Sequence, residues 1–124
     1  MSGSIGVNDP VRLALIARRE IKRDPRQAAE KAYLAAVRAA RQVVRALGGR
    51  YTDRHSASAI GRAAELIGKH YPGGQLRQVT RAFQRALGDH KACFYEGVCE
   101  RTAITKDVSE IVRATKTVRR LFGR

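Results

Sequence analysis

The sequence predicts an all-α protein in which an N-terminal arm helix, turning directly into the next helix, precedes a four-helix bundle. Three observations carry that reading. Apolar residues recur every three or four positions, the period of a helix buried on one side. The dipeptide Asp-Pro occurs at Asp9-Pro10 and again at Asp24-Pro25, each an N-cap followed by proline at the first helical position. Glycine pairs at Gly48-Gly49 and Gly73-Gly74 interrupt the pattern where helices should stop. A chain of 124 residues has room for one domain, expected as an arm over 1–23 and a bundle over 24–124.

The first helix is expected over 10–22. Leu13, Ala17 and Ile21 give it one apolar side, while Val11 and Leu15 point into the sector that carries Arg18, Arg19, Lys22 and Arg23. A helix apolar on two sides is expected to touch a partner subunit, and the bundle is expected to stand without residues 1–23. The second helix should run from Pro25 to Leu47, with Ala29, Tyr33, Ala36, Ala40, Val43 and Leu47 on one stripe. Lys31, Arg38, Arg41 and Arg45 lie opposite, within an arc of about 80°. Ser56 or Ser58 is the expected cap of a third helix ending near Tyr71, and Pro72-Gly73-Gly74 then breaks the chain.

A fourth helix is expected over 75–97, with Leu76, Val79, Phe83, Leu87, His90 and Phe94 inside. Arg77, Arg81 and Arg85 make a straight row on its far face. Asp107 with Glu110 resembles a capping box and places the start of a fifth helix, which ends near Phe122. Val108, Ile111, Val118 and Phe122 face inward on it; Lys106, Arg113, Lys116 and Arg120 face outward.

The outward faces determine the expected partner. Basic residues number 25 against 11 acidic, a net charge of +14 spread along the whole chain. Self-repulsion of that size favours a polyanionic partner, and Arg outnumbers Lys by 19 to 6. Guanidinium groups fork onto phosphate oxygens, so the expected partner is the phosphate backbone of a nucleic acid. The contacts are expected from Arg12, Arg18, Arg19, Lys22, Arg23 and Arg26, from Lys31, Arg38, Arg41 and Arg45, and from Arg77, Arg81 and Arg85. A membrane fits less well, because cations alternate with apolar residues and no run approaches spanning length. One Asn, one Met and no Trp point to a hot habitat.

Little in the sequence points to catalysis. His55, His70 and His90 share no ligand spacing with Cys93, Cys99 or a carboxylate, and the glycine pairs lack the Lys-Ser/Thr of a phosphate-binding loop. No metal, cofactor or small-molecule substrate is expected. Glu96 and Glu100, four residues apart, are expected to be exposed rather than to act as an acid/base pair. On a single helix Cys93 and Cys99 would stand about 9 Å apart, so free buried thiols are expected. The opening residues from Met1 to Asn8 have neither a charged n-region nor an apolar h-region. The chain is therefore expected in a cytoplasm or in a particle assembled there.

Arg85 and His90 form an Arg-x4-His pair, as do Arg50 and His55. With Gln27-Ala-Ala-Glu-Lys-Ala-Tyr33 and Phe94-Tyr-Glu-Gly97, this resembles archaeal HEPN-type helical bundles. That resemblance implies a dimeric ribonuclease acting on an RNA 2′-hydroxyl and phosphate without metal. The departures are Ala86, where the family usually has a polar residue, and a turn of about 140° between Arg85 and His90. His90 is expected to be a core histidine.

A broader resemblance is to the coat proteins of rod-shaped and filamentous archaeal viruses. It rests on the arm kinked at Asp24-Pro25, on Gly74-x-x-Arg77-x-Val79-x-x-x-Phe83, and on the apolar spacing from Lys91 through Phe94-Tyr95 to Val108 and Ile111. It implies a non-enzymatic subunit that coats double-stranded DNA in an A-like form, together with copies of itself or a related coat protein. It also implies assembly in the host cytoplasm and residence in the virion.

Overall fold

Each Asp-Pro pair opens a helix as its capping chemistry requires. In the computed structural model, which describes residues 9–51 and 57–123, Asp9 caps α1 (Pro10–Glu20) by accepting from the Arg12 N–H at 2.9 Å. Asp24 caps α2 (Pro25–Ala46) by accepting from the N–H groups of Arg26 and Gln27 at 3.1 and 3.3 Å. Next come α3 (Ala57–His70), a single 3-10 turn at Pro72–Gly74, α4 (Arg77–Tyr95) and α5 (Arg101–Phe122). The described residues thus form five α-helices and no strand.

The alanine content of α2 explains its position. Alanine has the highest helix propensity and the smallest side chain that still excludes water. Ala28, Ala35, Ala36, Ala39 and Ala40 have no exposed surface. Helices α1, α3, α4 and α5 all pack directly against α2. The bulk of the core comes from the neighbours and from the last turns of α2: Leu13, Ile60, Val79, Phe83, Ile111 and Val118 close over Val43 and Val44. A second, smaller cluster joins Ala17 and Ile21 of α1 to Ala28, Ala29 and Ala32, and to Cys93, Ile104 and Val108.

Three expectations need correction. Helix α1 buries both of its apolar sides within the chain, because it lies against α2 and α5 together. Val11, Leu13, Ala14, Ala17 and Ile21 are all buried, and half-buried Leu15 packs on the main core. No partner subunit is needed to cover those two sides. Helix α5 begins seven residues earlier than Asp107 and Glu110 indicate. Glu100 is its N-cap, accepting from the N–H groups of Thr102 and Ala103 at 3.3 and 2.6 Å, and Asp107 is buried in mid-helix.

The thiols are the third. Helix α4 ends at Tyr95, and Gly97 at φ 72° turns the chain back so that the Val98 N–H reaches the Ala92 carbonyl at 2.8 Å. A positive φ of this kind is cheap only for glycine. The turn brings Cys99 beside Cys93, Cα to Cα 4.6 Å, and the two are joined in a disulfide. The 9 Å separation would require an unbroken helix. Elsewhere, Ser58 lies inside α3 rather than capping it, and Ser56 falls outside the described residues.

Candidate nucleic-acid interface

Helices α4 and α5 lie side by side and leave an open groove of about 560 Å³ between their outer faces. Gln78 and Arg81 line it from α4; Glu110, Arg113, Ala114, Lys116, Thr117 and Arg120 line it from α5. The spacing follows from helical phase. Both helices turn their apolar stripes toward α2, so their cations fall on the two lips of one channel. Four basic side chains therefore share a concave surface with a single carboxylate, Glu110. That carboxylate is engaged, since Arg85 Nη1 lies 3.9 Å from Glu110 Oε2.

Arg85 is accordingly not a free member of the Arg77–Arg81–Arg85 row. Its guanidinium bridges α4 to α5, 3.6 Å from Asp107 Oδ1 as well as close to Glu110. Asp89 belongs to the same cluster. Burial, a hydrogen bond with Asp107 and the charge of that neighbour push the Asp89 carboxyl up from 3.8 to about 7, and Arg85 pulls it partly back. A proton on Asp89 thus lets two carboxyl groups sit together beneath one guanidinium. The cluster ties α4 to α5 just below the groove.

The other expected cations fall into separate groups. Arg12, Arg18, Arg19, Lys22, Arg23 and Arg26 are exposed along α1 and the turn into α2. Lys31, Arg38 and Arg41 are only half-exposed, because α2 has neighbours on most sides. Arg45 is exposed and donates to the Tyr51 hydroxyl at 3.1 Å, while the Arg41 guanidinium lies 5.5 Å from the centre of the same ring. Arg77 folds over the Pro72–Gly74 turn rather than toward the groove: a Cβ added at Gly74 would stand 2.9 Å from Arg77 Nη2. Only Arg81 of the expected set lines the groove. Arg113, Lys116 and Arg120, read from sequence merely as an outward face, complete it.

His90 turns away from this groove. Its Nδ1 lies 3.0 Å from Glu30 Oε2, and its ring stacks on Tyr33 at 4.0 Å with 6° between the planes. Arg85 therefore faces α5 and His90 faces α2, so the Arg-x4-His pair does not converge within one chain. His90 is half-buried against α2 instead of sealed in the main core. His55 of the second such pair lies outside the described residues.

No family model, curated protein or solved structure matches this chain.

Other features of the described residues limit the site further. No group of His, Cys, Asp and Glu among them could hold a metal ion, and no helix among them is long and apolar enough to cross a membrane. What sequence reasoning missed was the pairing of two rows. Arg81 stands at one lip and Arg113, Lys116 and Arg120 at the other only because α4 and α5 pack against each other while both pack against α2. The usable signal was the match between their charge patterns, each a cation every three or four residues behind an apolar stripe.

Proposed function

We propose that this chain is a structural nucleoprotein that binds the phosphate backbone of double-stranded DNA without reading its sequence, and that the α4–α5 groove is its principal contact. One observation carries the reading: Arg81, Arg113, Lys116 and Arg120 share a groove whose sole carboxylate is held by Arg85. Uncompensated cations on a concave surface focus potential toward an anionic ligand. Exposed Arg12, Arg18, Arg19, Lys22 and Arg23 add sequence-independent attraction along α1. The coat-protein resemblance extends this to a subunit of a virion that polymerises along DNA with its own copies or a related protein, α1 serving as the arm. Because α1 buries its apolar sides within the chain, contacts between copies fall to other surfaces. A charge of +14 balances about seven base pairs at two phosphates each, which sets the expected coverage.

The test is binding to unrelated duplexes over a range of salt. Each phosphate contact contributes about −0.9 to the log–log slope, so the expected slope is steep, about −4 or beyond, and equal for all sequences. A slope near −1, or marked preference for one sequence, would remove this reading.

A second reading, the HEPN-type ribonuclease, has one observation in its favour: Glu30 holds His90 at Nδ1, an arrangement that orients an imidazole for proton transfer. Against it stands the commitment of Arg85 to Asp107 and Glu110. Metal-independent RNA cleavage lost in both His90→Ala and Arg85→Ala would establish it over the first.

A further inference from the structure

Aromatic side chains are scarce in this chain, four Tyr and three Phe, yet Tyr33, Phe94 and Tyr95 gather around His90. The cluster runs from core to solvent. Tyr33 is 6% exposed and stacks flat on His90. His90 in turn lies 5.2 Å from Phe94, which is 45% exposed, and 5.8 Å edge-on from Tyr95, which is 77% exposed. The outermost ring is not a loose side chain on a frayed end. The Cys93–Cys99 disulfide closes the turn that follows it, and the Val98 N–H to Ala92 carbonyl bond fixes the same segment. Tyr95 is thus held as the outer face of an existing aromatic cluster.

The surroundings are cationic. The Arg26 guanidinium lies 4.8 Å from the centre of the Phe94 ring, and exposed Lys91 is one helical turn before Tyr95 on the same face. Of the nearby carboxylates, Glu30 is held by His90 and Glu100 by the first N–H groups of α5, leaving Glu96 exposed in the turn. A positioned ring beside Arg and Lys is the combination that takes an unpaired base on its π-face and the adjoining phosphates on the cations. The same knuckle of a second copy is the less suitable occupant, because it would set its own Arg26 and Lys91 against this pair.

We infer that the knuckle formed by Phe94 and Tyr95 is a stacking site for unpaired nucleobases, giving the protein a single-strand binding mode separate from the α4–α5 groove. The inference rests on the nucleic-acid reading of the chain. Arg26 and Lys91 supply the phosphate contacts, and Tyr95 supplies the platform.

The experiment compares three labelled probes by fluorescence anisotropy: oligothymidylate of about 12 nucleotides, an abasic strand of the same length, and a duplex. Wild type is measured beside Tyr95→Ala and Tyr95→Phe, neither of which disturbs the core because Tyr95 is mostly in solvent. Wild type is expected to hold oligothymidylate more tightly than the abasic strand. Tyr95→Ala should weaken oligothymidylate binding by about 5- to 150-fold, leaving the abasic strand and duplex unchanged, with Tyr95→Phe close to wild type. Equal affinity for thymidylate and abasic strands, or no effect of Tyr95→Ala, overturns the stacking site while duplex binding survives. A dimer in sedimentation that Tyr95→Ala dissociates overturns it in favour of self-association. If none of the probes binds, the nucleic-acid reading itself fails, an outcome distinct from the others.

Discussion

Helix α2 and the α4–α5 pair start from the same pattern and end in different roles. Lys31, Arg38, Arg41 and Arg45 on one, and Arg81, Arg113, Lys116 and Arg120 on the other, each follow an apolar stripe as a row of cations. In the folded chain α2 has four helical neighbours, Lys31, Arg38 and Arg41 are half-buried, and Arg41 and Arg45 are drawn to Tyr51. Helices α4 and α5 keep their outer faces clear, and their cations line a shared groove. The difference teaches that helical phase locates a side chain relative to its own stripe, but not how many neighbours surround the helix. A helix whose buried face is mostly alanine is thin enough to be enclosed, and its polar face then becomes a seam.

Reversing charge in the groove should sharpen that contrast most. The triple change Arg113→Glu, Lys116→Glu and Arg120→Glu is expected to weaken duplex binding at least about 100-fold at moderate salt, because three phosphate contacts become repulsions. Circular dichroism should remain helical, since all three side chains are exposed. On the α2 side the expected effect is on stability. Ala40 has no exposed surface, so Ala40→Leu should cost about 1–3 kcal/mol by overpacking, with duplex affinity unchanged in the folded fraction. Denaturant unfolding that shows no loss would mean that α2 is not enclosed.

A smaller effect is expected beneath the groove. Asp89 keeps its proton in the folded chain up to about pH 7, whereas its ordinary value is 3.8. The folded state therefore binds more protons between those limits, and the stability from this group is full below about pH 4 and lost as pH rises to about 7. Asp89→Asn retains a donor toward Asp107 and removes the titration. It should match wild type near pH 4 and exceed it by about 1 kcal/mol at pH 8, a figure reduced because the group is partly in solvent. Parallel stability profiles for the two proteins would show that the carboxyl pair does not share a proton.

The helices themselves were legible because local chemistry specifies them. Asp9-Pro10, Asp24-Pro25 and Pro72-Gly73-Gly74 act within a few residues, and the structure follows each one. Misreadings came where a distant partner decided the outcome. Asp107 has the sequence surroundings of a cap, but Arg85 and Asp89, across the α4–α5 contact, make it a buried acid in mid-helix. Val11 and Leu15 looked unmatched because α5, which closes the far side of α1, lies at the other end of the chain. The disulfide was hidden by a single glycine: Gly97 ends α4 and folds Cys99 back. Of the candidate groove, the cations were visible as faces but their adjacency was not, since adjacency is set by which helices share α2.

The most direct test of the contrast is the salt dependence of duplex binding in two neutralised variants. One carries Arg81→Ala, Arg113→Ala, Lys116→Ala and Arg120→Ala; the other carries Lys31→Ala, Arg38→Ala and Arg41→Ala. If the groove is the phosphate contact, the first variant should lose about 3–4 units of log–log slope and the second less than about 1. Equal losses, or a larger loss in the α2 variant, would contradict the assignment of the groove and return the interface to the central helix.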